Sequence, residues 1–406
     1  MAFAALCIGV GCGARSIKEA DPPTPLPRDA PLSVPELDEA ITAVGDYIQL
    51  HTDEDGRFTY VIDGRGKIDP TDYNVLRHGG TIYALGELRR RRGENDRLDA
   101  AILRSARYLI QNYLGTFEAP AGIGESGSIA VWSRVGEEID GDRREAKLGG
   151  AGLGLVALTA AHAVNPESVS LANLRGLALT IAAMQKSDGH FVSKVIEGDG
   201  PDTRFVSLYY PGEAVLGLAR LYRIDPDPRW IQVAGKAIAA LIRQRADLDD
   251  DELPADHWLL IAIGEISLLA DEKPAIASML PISTEKMREH AVRIADSMVA
   301  QQIAVRGGGS FHPKRRSTPS ATRLEGILAL LAALPKSHSA RDRLERSVRA
   351  GIRFLLTCRV KDGSALRDGG ITRSCPPSRA RKRGEIRIDY AQHALSALLG
   401  ARALGL

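Results

Sequence analysis

The sequence has few aromatic residues and no strong net charge. Aromatic side chains make up 5% of the 406 residues, with only three tryptophans. This scarcity argues against a long glycan groove lined with stacked rings and against a large apolar ligand pocket. The net charge of +2 gives no reason to expect nucleic acid as a partner. Hydrophobic residues at 44% and charged residues at 26% are typical of an ordinary folded protein.

Cysteine is also scarce, and no cysteine lies in a pattern that binds a metal. The four cysteines form neither a Cys-x-x-Cys pair nor a Cys/His zinc spacing, and the glycine-rich run at 149–154 lacks the spacing of a dinucleotide loop. We therefore expect no metal and no cofactor. Cys358 and Cys375 lie seventeen residues apart. In an exported protein they are candidates for a local disulfide, and two free thiols are the alternative.

The first sixteen residues form an apolar run that ends in small residues, and a proline-rich polar linker follows at 17–35. The run is too short to span a bilayer as a mature helix and resembles the end of a secretory signal. Gly11-Cys12, followed by Gly-Ala, resembles a bacterial lipoprotein processing site. This resemblance implies export to the periplasm or cell envelope, with a lipidated Cys12 attached to the membrane. A plain signal peptide or a wrongly assigned start codon is the alternative.

The rest of the chain, residues 36–406, alternates strictly between two kinds of helical segment. One kind is amphipathic and rich in charge, with apolar residues every three or four positions. Its six members are 36–50, 98–114, 171–185, 230–245, 284–302 and 341–358. The other kind is rich in small residues and apolar on nearly all faces. Its six members are 73–88, 147–162, 210–222, 256–270, 320–334 and 389–404.

This alternation predicts an all-α domain. A helix that is apolar on all faces must be buried on all faces. We therefore expect an (α/α)6 toroid, in which the apolar helices form an inner ring and the amphipathic helices form an outer ring. Closing the ring leaves no helix unpacked, so a single domain can reach this length. No alternating run long enough for a substantial strand competes with this prediction.

A similar turn follows several of the amphipathic segments. Its examples are Asp55-Gly56-Arg-Phe58, Gln185-Lys-Ser-Asp188-Gly189-His-Phe191, Gly308-Gly309-Ser-Phe311 and Lys361-Asp362-Gly363. Asp-Gly is a turn dipeptide, and the aromatic residue two positions later can close the end of the hairpin. The Gln-x-x-Asp-Gly-x-Phe pattern resembles the repeat of terpenoid-cyclase and prenyltransferase toroids, and similar turns occur in six-hairpin glycosidases, polysaccharide lyase toroids and epimerase toroids. The resemblance covers residues 36–406 and implies the toroid fold without selecting one family.

The inner helices of such a ring run in the same direction, so their positive N-terminal ends gather at one mouth. Polar residues open each of these apolar segments, and unpaired burial would be costly for them. The candidates for catalysis are Glu213, Asp256, His257, Glu325, Asp389 and His393. The candidates for substrate binding are Tyr73, Asn74, Arg77, His78, Tyr210, Trp258, Arg323 and Tyr390. The structural alternatives are that the aspartates cap helices and that the arginines and glutamates form an ion network around the ring axis.

Three functions remain open. The first is a carbohydrate-active enzyme on a glycan, with an acidic sugar favoured because the basic loops at 314–316 and 379–383 adjoin the mouth. Hydrolysis of a glycan needs two carboxyl groups. Elimination or epimerisation of a uronate instead needs a histidine or tyrosine to move a proton, and an arginine or asparagine to neutralise the carboxylate of the sugar. The second is a non-catalytic envelope protein that binds a glycan or peptide. The third is an isoprenoid cyclase, because Asp247-Leu-Asp249-Asp250 resembles the acidic motif of class II terpene cyclases.

Overall fold

The computed structural model describes residues 31–118, 126–139, 141–304 and 308–406. The export segment at 1–16, with Cys12, lies outside the described residues, as does most of the linker at 17–35. The first helix begins at Val34, where Ser33 caps it by accepting a hydrogen bond from the Glu36 backbone N–H. No helix in the described part of the chain is long and apolar enough to cross a membrane.

Two sets of six α-helices alternate along the described chain, as the sequence predicts. The outer helices are α1 (Val34–Leu50), α3 (Asp96–Tyr113), α5 (Leu171–Ala183), α7 (Pro228–Gln244), α9 (Thr284–Ala304) and α11 (Arg341–Leu356). The inner helices are α2 (Val75–Arg92), α4 (Leu148–Val164), α6 (Tyr210–Tyr222), α8 (His257–Glu272), α10 (Ser317–Ala333) and α12 (Ile388–Leu404).

The inner helices form a closed ring. Each one packs against the next in the order α2, α4, α6, α8, α10 and α12, and α12 packs against α2. Small residues allow this close packing. A Cβ atom on Gly152 of α4 would collide with the backbone of α6 at Glu213, and one on Gly217 of α6 would collide with the Gly152 carbonyl. The predicted all-α toroid is therefore confirmed.

The turn that repeats after the outer helices has a structural reason. Gly56, Gly189 and Gly309 have φ angles of +93°, +94° and +95° and lie against backbone carbonyls of α3, α7 and α11, so that a Cβ atom would collide there. The glutamine of the pattern completes the joint, because Gln185 Nε2 donates to the Gly189 carbonyl at 3.2 Å and to the Val233 carbonyl of α7 at 2.9 Å. Each turn therefore fixes one hairpin to the next.

The sixth turn differs from the pattern that the sequence suggests. Gly363 has a φ of +66° but no neighbouring atom near the position of its missing Cβ. Gly369, six residues later, has a φ of +81° and lies against the carbonyl of Ala43 in α1. The contact that joins the last hairpin to the first is thus made by Gly369, beyond the Asp-Gly turn.

Short strands in the connections were not expected from the sequence. One antiparallel sheet joins β1 (Val61–Ile62), β2 (Ile68–Asp69) and β8 (Ile386–Arg387) in the order β2-β1-β8. A five-stranded sheet joins β3 (Leu114–Thr116), β4 (Ile129–Ser133), β5 (Glu145–Lys147), β6 (Lys194–Ile196) and β7 (Gly200–Pro201). These strands have two to five residues, too few to produce a readable alternation. Both sheets lead into inner helices, because β5 ends at α4 and β8 ends at α12.

Cys358 and Cys375 are joined by a disulfide, with their Cα atoms 4.6 Å apart. The bond ties the end of α11 to the long connection that precedes α12. Both cysteines are buried.

Candidate active site

Three polar side chains from three inner helices meet inside the ring. His257 is the first residue of α8, and His393 is the sixth residue of α12. Glu325 is the ninth residue of α10, because this helix begins at Ser317, so it lies deeper in the ring than the first turn that the sequence predicts for it. His393 Nδ1 and Glu325 Oε2 share a hydrogen bond of 2.6 Å. The ring of His257 meets that of His393 edge to face, with centroids 5.7 Å apart. We call these three residues the histidine cluster.

Burial controls the protonation of the cluster. Burial lowers the pKa of His257 well below its ordinary value, and the positive charges of His393 and Arg323 lower it further. Burial alone would also lower the pKa of His393, but the nearby Glu325 and Asp389 carboxylates outweigh it, so the pKa is raised. Burial raises the pKa of Glu325 despite its bond to His393. The cluster therefore joins a neutral imidazole to a carboxyl–imidazole pair.

Asp389 belongs to an ion network at the rim. Its carboxylate accepts hydrogen bonds from Arg387 Nε at 2.6 Å and Nη2 at 2.9 Å, and Arg77 Nε lies 3.3 Å away. Burial would raise the pKa of Asp389, but Arg77 and Arg387 lower it overall. Arg77 also donates to the Tyr60 hydroxyl. Two arginines therefore keep Asp389 ionised. Its contacts match the structural alternative given for the sequence, in which the charged residues form an ion network around the ring axis.

Asp256 is also occupied by structural contacts. It caps α8 by accepting from the Leu259 backbone N–H at 3.1 Å, and Arg245 Nη2 donates to its other oxygen at 2.8 Å. Its side chain is completely buried. Both carboxyl oxygens of Asp256 are thus bound, one by the start of α8 and the other by Arg245 at the end of α7.

Glu213 is a buried carboxyl group of a different kind. It is 5% exposed, and its Oε2 has no hydrogen-bond partner among the described residues. Burial and the negative charge of Asp256 raise its pKa to about 8. A Cβ atom on Gly149 would collide with this carboxyl oxygen, so the glycine provides the space that the carboxyl group occupies.

Tyr73 and His78 do not reach the mouth, which corrects their placement from the sequence. The Tyr73 hydroxyl bonds to His78 Nδ1 at 2.6 Å, and His78 Nε2 bonds to the Ser105 carbonyl of outer helix α3 at 2.9 Å. Both residues are 1% exposed. Asn74 caps α2 through the Arg77 backbone N–H and also donates to Glu138. The rotation of α2 turns His78 toward outer helix α3, and Tyr73, which precedes the helix, follows it through their hydrogen bond.

The remaining candidates for substrate binding are Trp258, Tyr390, Tyr210 and Arg323. Trp258 is buried, with its ring centroid 6.4 Å from that of His393. Tyr390 donates to Glu385 at 2.8 Å, and Tyr210 lies half-buried near Phe205. Arg323 donates to the Pro319 carbonyl and to Gln301, while its Nε has no partner in the described part of the chain.

A polar cleft of about 400 Å³ opens beside the histidine cluster. Its charged and aromatic lining residues are Asp72, Tyr209, Arg316, Arg323, Arg373, Glu385, Arg387 and Tyr390. Tyr209 connects the cleft to the cluster, because its ring lies 5.1 Å from that of His257. The four arginines outnumber the two acids, so the cleft suits an anionic ligand.

Sequence reasoning did not select Tyr209, Arg373 or Arg387 as site residues. Tyr209 and Arg387 immediately precede inner helices, so a wider search around each helix start would have included them. Arg373 had no such signal, since it reaches the cleft through the pairing of its connection with residues 385 and 317.

Only one of the two predicted basic loops contributes a described residue to the cleft. Arg316 of the loop at 314–316 lines the cleft, whereas Arg379 of the loop at 379–383 pairs with Asp362 at the surface. Asp249 and Asp250 are exposed, and Asp250 pairs with Arg293 of α9 at 2.8 Å. The acidic motif that resembles that of terpene cyclases therefore lies at the surface.

No protein-family model and no curated protein matches the sequence, but solved structures match nearly its whole length. Cellobiose 2-epimerase from Bacillus thermoamylovorans B4167 has a TM-score of 0.63 at 14% identity, covering 90% of this chain and 98% of the epimerase. The α-1,6-mannanase of Salegentibacter sp. HEL1_6 has a TM-score of 0.61 at 14% identity, covering 91% and 100%. An unsaturated glucuronyl hydrolase specific for heparin has a TM-score of 0.60 at 12% identity, covering 92% and 98%.

These similarities establish the architecture. The chain has the six-hairpin (α/α)6 toroid fold that is found in sugar epimerases and glycosidases, and the resemblance drawn from its turns is confirmed at that level. The matches include both kinds of enzyme at similar scores, so they select no single family. The reaction must be argued from the site itself.

Proposed function

We propose that this protein is a carbohydrate-active enzyme that moves a proton on an acidic sugar, as an epimerase or isomerase does. The observation that carries the proposal is the Glu325–His393 pair beside His257 inside the ring. A carboxylate orients an imidazole and supports its action as a general base. A second imidazole next to it supplies a separate proton donor or acceptor, so the cluster contains both groups that a proton transfer requires.

The carboxyl groups of the mouth favour proton transfer over hydrolysis. A glycosidase of the usual kind needs two carboxyl groups free to flank the scissile bond. Asp256 and Asp389 are each bound by arginine, and Glu325 is bound by His393. Among the four predicted acids, only Glu213 has no cationic partner in the described structure. A single free carboxyl group does not meet the requirement.

The arginines of the cleft support an acidic sugar as the substrate. Arg316 and Arg323 line the cleft that Tyr209 links to His257, so a carboxylate bound there would place the sugar beside the imidazoles. Arg387 also lines the cleft, but its Nε and Nη2 already donate to Asp389. Guanidinium groups bind carboxylates in a bidentate manner and neutralise the charge that develops when a neighbouring proton is removed. The similarity to an unsaturated glucuronyl hydrolase is consistent with such a substrate, and the similarity to a cellobiose 2-epimerase is consistent with the proposed kind of reaction.

The proposal can be tested with matched sugars. Glucuronate and galacturonate, free and as oligomers, would be incubated beside glucose and galactose, and products would be identified by NMR. We expect a new epimer or isomer from a uronate, with turnover falling by at least about 100-fold in His257→Gln and His393→Gln. His290→Gln is the control, because His290 is buried in outer helix α9. Chain cleavage, an unsaturated product or a fully active His393→Gln variant would contradict the proposal, and binding without turnover would favour the non-catalytic alternative.

We also propose that the protein is exported and anchored to the membrane through a lipidated Cys12. The Gly11-Cys12 sequence supports this, and so does the disulfide between Cys358 and Cys375, because disulfides persist in oxidising compartments. Metabolic labelling with palmitate should mark the wild-type chain and not Cys12→Ala. An unlabelled wild-type chain that remains in the cytoplasm would contradict both parts of this proposal.

A further inference from the structure

The histidine cluster has the geometry of a metal site. One ligand atom each from His257, Glu325 and His393 lie within 4.8 Å of one another. Three separate inner helices supply these atoms, and each helix is held by its neighbours in the ring. The cluster is therefore assembled by the fold as a whole, and the backbone positions of its members are fixed before any ligand arrives.

Two atoms of the cluster are buried without a partner. His257 Nε2 and Glu325 Oε1 have no hydrogen-bond partner among the described residues. Their side chains are nearly inaccessible, at 4% exposure for His257 and 5% for Glu325. Leaving such atoms unpaired in the interior is unfavourable for the folded chain. Both atoms belong to the same small cluster, so one bound ion would give each of them a partner.

We propose that His257, Glu325 and His393 bind a divalent transition-metal ion, with Zn²⁺ as the best match. Two imidazole nitrogens and one carboxylate oxygen form a ligand set of zinc sites that keep a fourth position open. Ca²⁺ and Mg²⁺ prefer sites built from oxygen atoms. The bond lengths of such a site, about 2.0–2.2 Å, place ligand atoms roughly 3.4 Å apart. The ligand atoms lie within 4.8 Å of one another in the structure, so side-chain rotations need to shorten the widest of these distances by about 1.4 Å at most.

The surrounding residues suit this role. Ser396 lies close to the Glu325 carboxyl group, and Trp258 packs against both histidines. Such outer contacts orient metal ligands and strengthen binding. The charges that face the cluster include Arg77 and Arg323 as well as Asp389. Asp389 is already paired with Arg77 and Arg387, so an added cation would be balanced chiefly by Glu325.

Metal binding would control the proposed enzyme by competition. An ion at the cluster takes the imidazole lone pairs that proton transfer uses, so Zn²⁺ would inhibit turnover and a chelator would restore it. This consequence rests on the proposed function, whereas metal binding does not. The closing experiment therefore measures binding directly, and the sugar assay is run with chelator present so that the two proposals fail separately.

The test uses the full chain without an affinity tag, after removal of metals with a chelator. Co²⁺ is added as a spectroscopic probe, and its visible absorption reports nitrogen and oxygen ligation in a low-coordinate site. We expect one Co²⁺ per chain, displaced by Zn²⁺, with affinity reduced at least about tenfold in His257→Gln, His393→Gln and Glu325→Gln. His290→Gln is the control, since His290 Nε2 is also buried without a partner in the described chain but belongs to no such cluster.

Two outcomes would overturn the proposal. One is wild-type protein that takes up no Co²⁺ at this stoichiometry. The other is equal uptake by the wild type and by folded cluster variants. Should a variant fail to fold, anomalous scattering at the zinc edge from crystals of the wild type decides the matter, because the ion must lie between His257, Glu325 and His393.

Discussion

Replacing Glu213 with glutamine should remove a pH-dependent cost of folding. The carboxyl group is buried in α6, and its pKa is raised from 4.5 to about 8 in the folded chain. The unfolded chain therefore loses this proton at lower pH than the folded chain does. Stability should fall as pH rises from the unfolded pKa toward the folded pKa and then level off, because ionisation favours the unfolded state over that interval.

The size of the effect follows from the two pKa values. Each pH unit between the unfolded and the folded pKa changes the unfolding free energy by about 1.36 kcal/mol. Through Glu213 alone, the unfolding free energy of the wild type should therefore fall by about 3 kcal/mol between pH 5 and pH 8. Glutamine keeps the shape of the protonated carboxyl group and carries no proton that ionises. The difference in unfolding free energy between Glu213→Gln and the wild type should therefore change by that amount, in favour of the variant at high pH.

Urea unfolding followed by circular dichroism from pH 5 to pH 8 measures this difference, without reductant so that the disulfide stays intact. Glu289→Gln is the control, because Glu289 is exposed on α9, and its difference from the wild type should stay constant. A constant difference for Glu213→Gln, within about 0.5 kcal/mol, would refute the reasoning. It would mean that the Glu213 carboxylate is stabilised in the folded chain by contacts that offset its burial.

Three further predictions follow from the fold and the cleft. Gly309→Ala should lower the unfolding free energy by about 2–4 kcal/mol in the same urea titration, because backbone strain at positive φ adds to a collision with α11. Gly363→Ala should lower it by only about 1 kcal/mol, because this position has the strain without the collision. Arg323→Gln should raise KM for a uronate while leaving KM for the matching neutral sugar unchanged in steady-state assays. Joint replacement of Cys358 and Cys375 by serine should lower the unfolding free energy by about 3 kcal/mol, measured by urea unfolding under non-reducing conditions.

The ring could be predicted from the sequence because its signal is distributed over many residues. Each inner segment is apolar on all faces, and each outer segment has one apolar face, so the alternation survives errors at single positions. The direction of the inner helices then indicates where the polar residues gather. The structure brings His257, Glu325 and His393 together inside the ring, and they come from helices that are far apart in sequence. Only His257 lies at a helix start, whereas Glu325 lies in the middle of α10.

The rotation of each helix about its axis could not be read from the same pattern. His78 and Arg77 are adjacent in sequence, yet His78 bonds to outer helix α3 and Arg77 bonds to Asp389 in the ring. Consecutive residues of a helix lie about 100° apart around its axis, so a small error in rotation moves a residue from the mouth to the outer ring. An inner helix that is apolar all round gives little information on that rotation.

Solvent deuterium exchange tests the central claim most directly. In D2O, the wild-type protein should incorporate deuterium at a carbon-bound position of the uronate that it converts, as observed by NMR. His393→Gln should lose this exchange, and His290→Gln should keep it. Conversion of the sugar without deuterium incorporation, or exchange that persists in His393→Gln, would contradict the assignment of the histidine cluster to proton transfer.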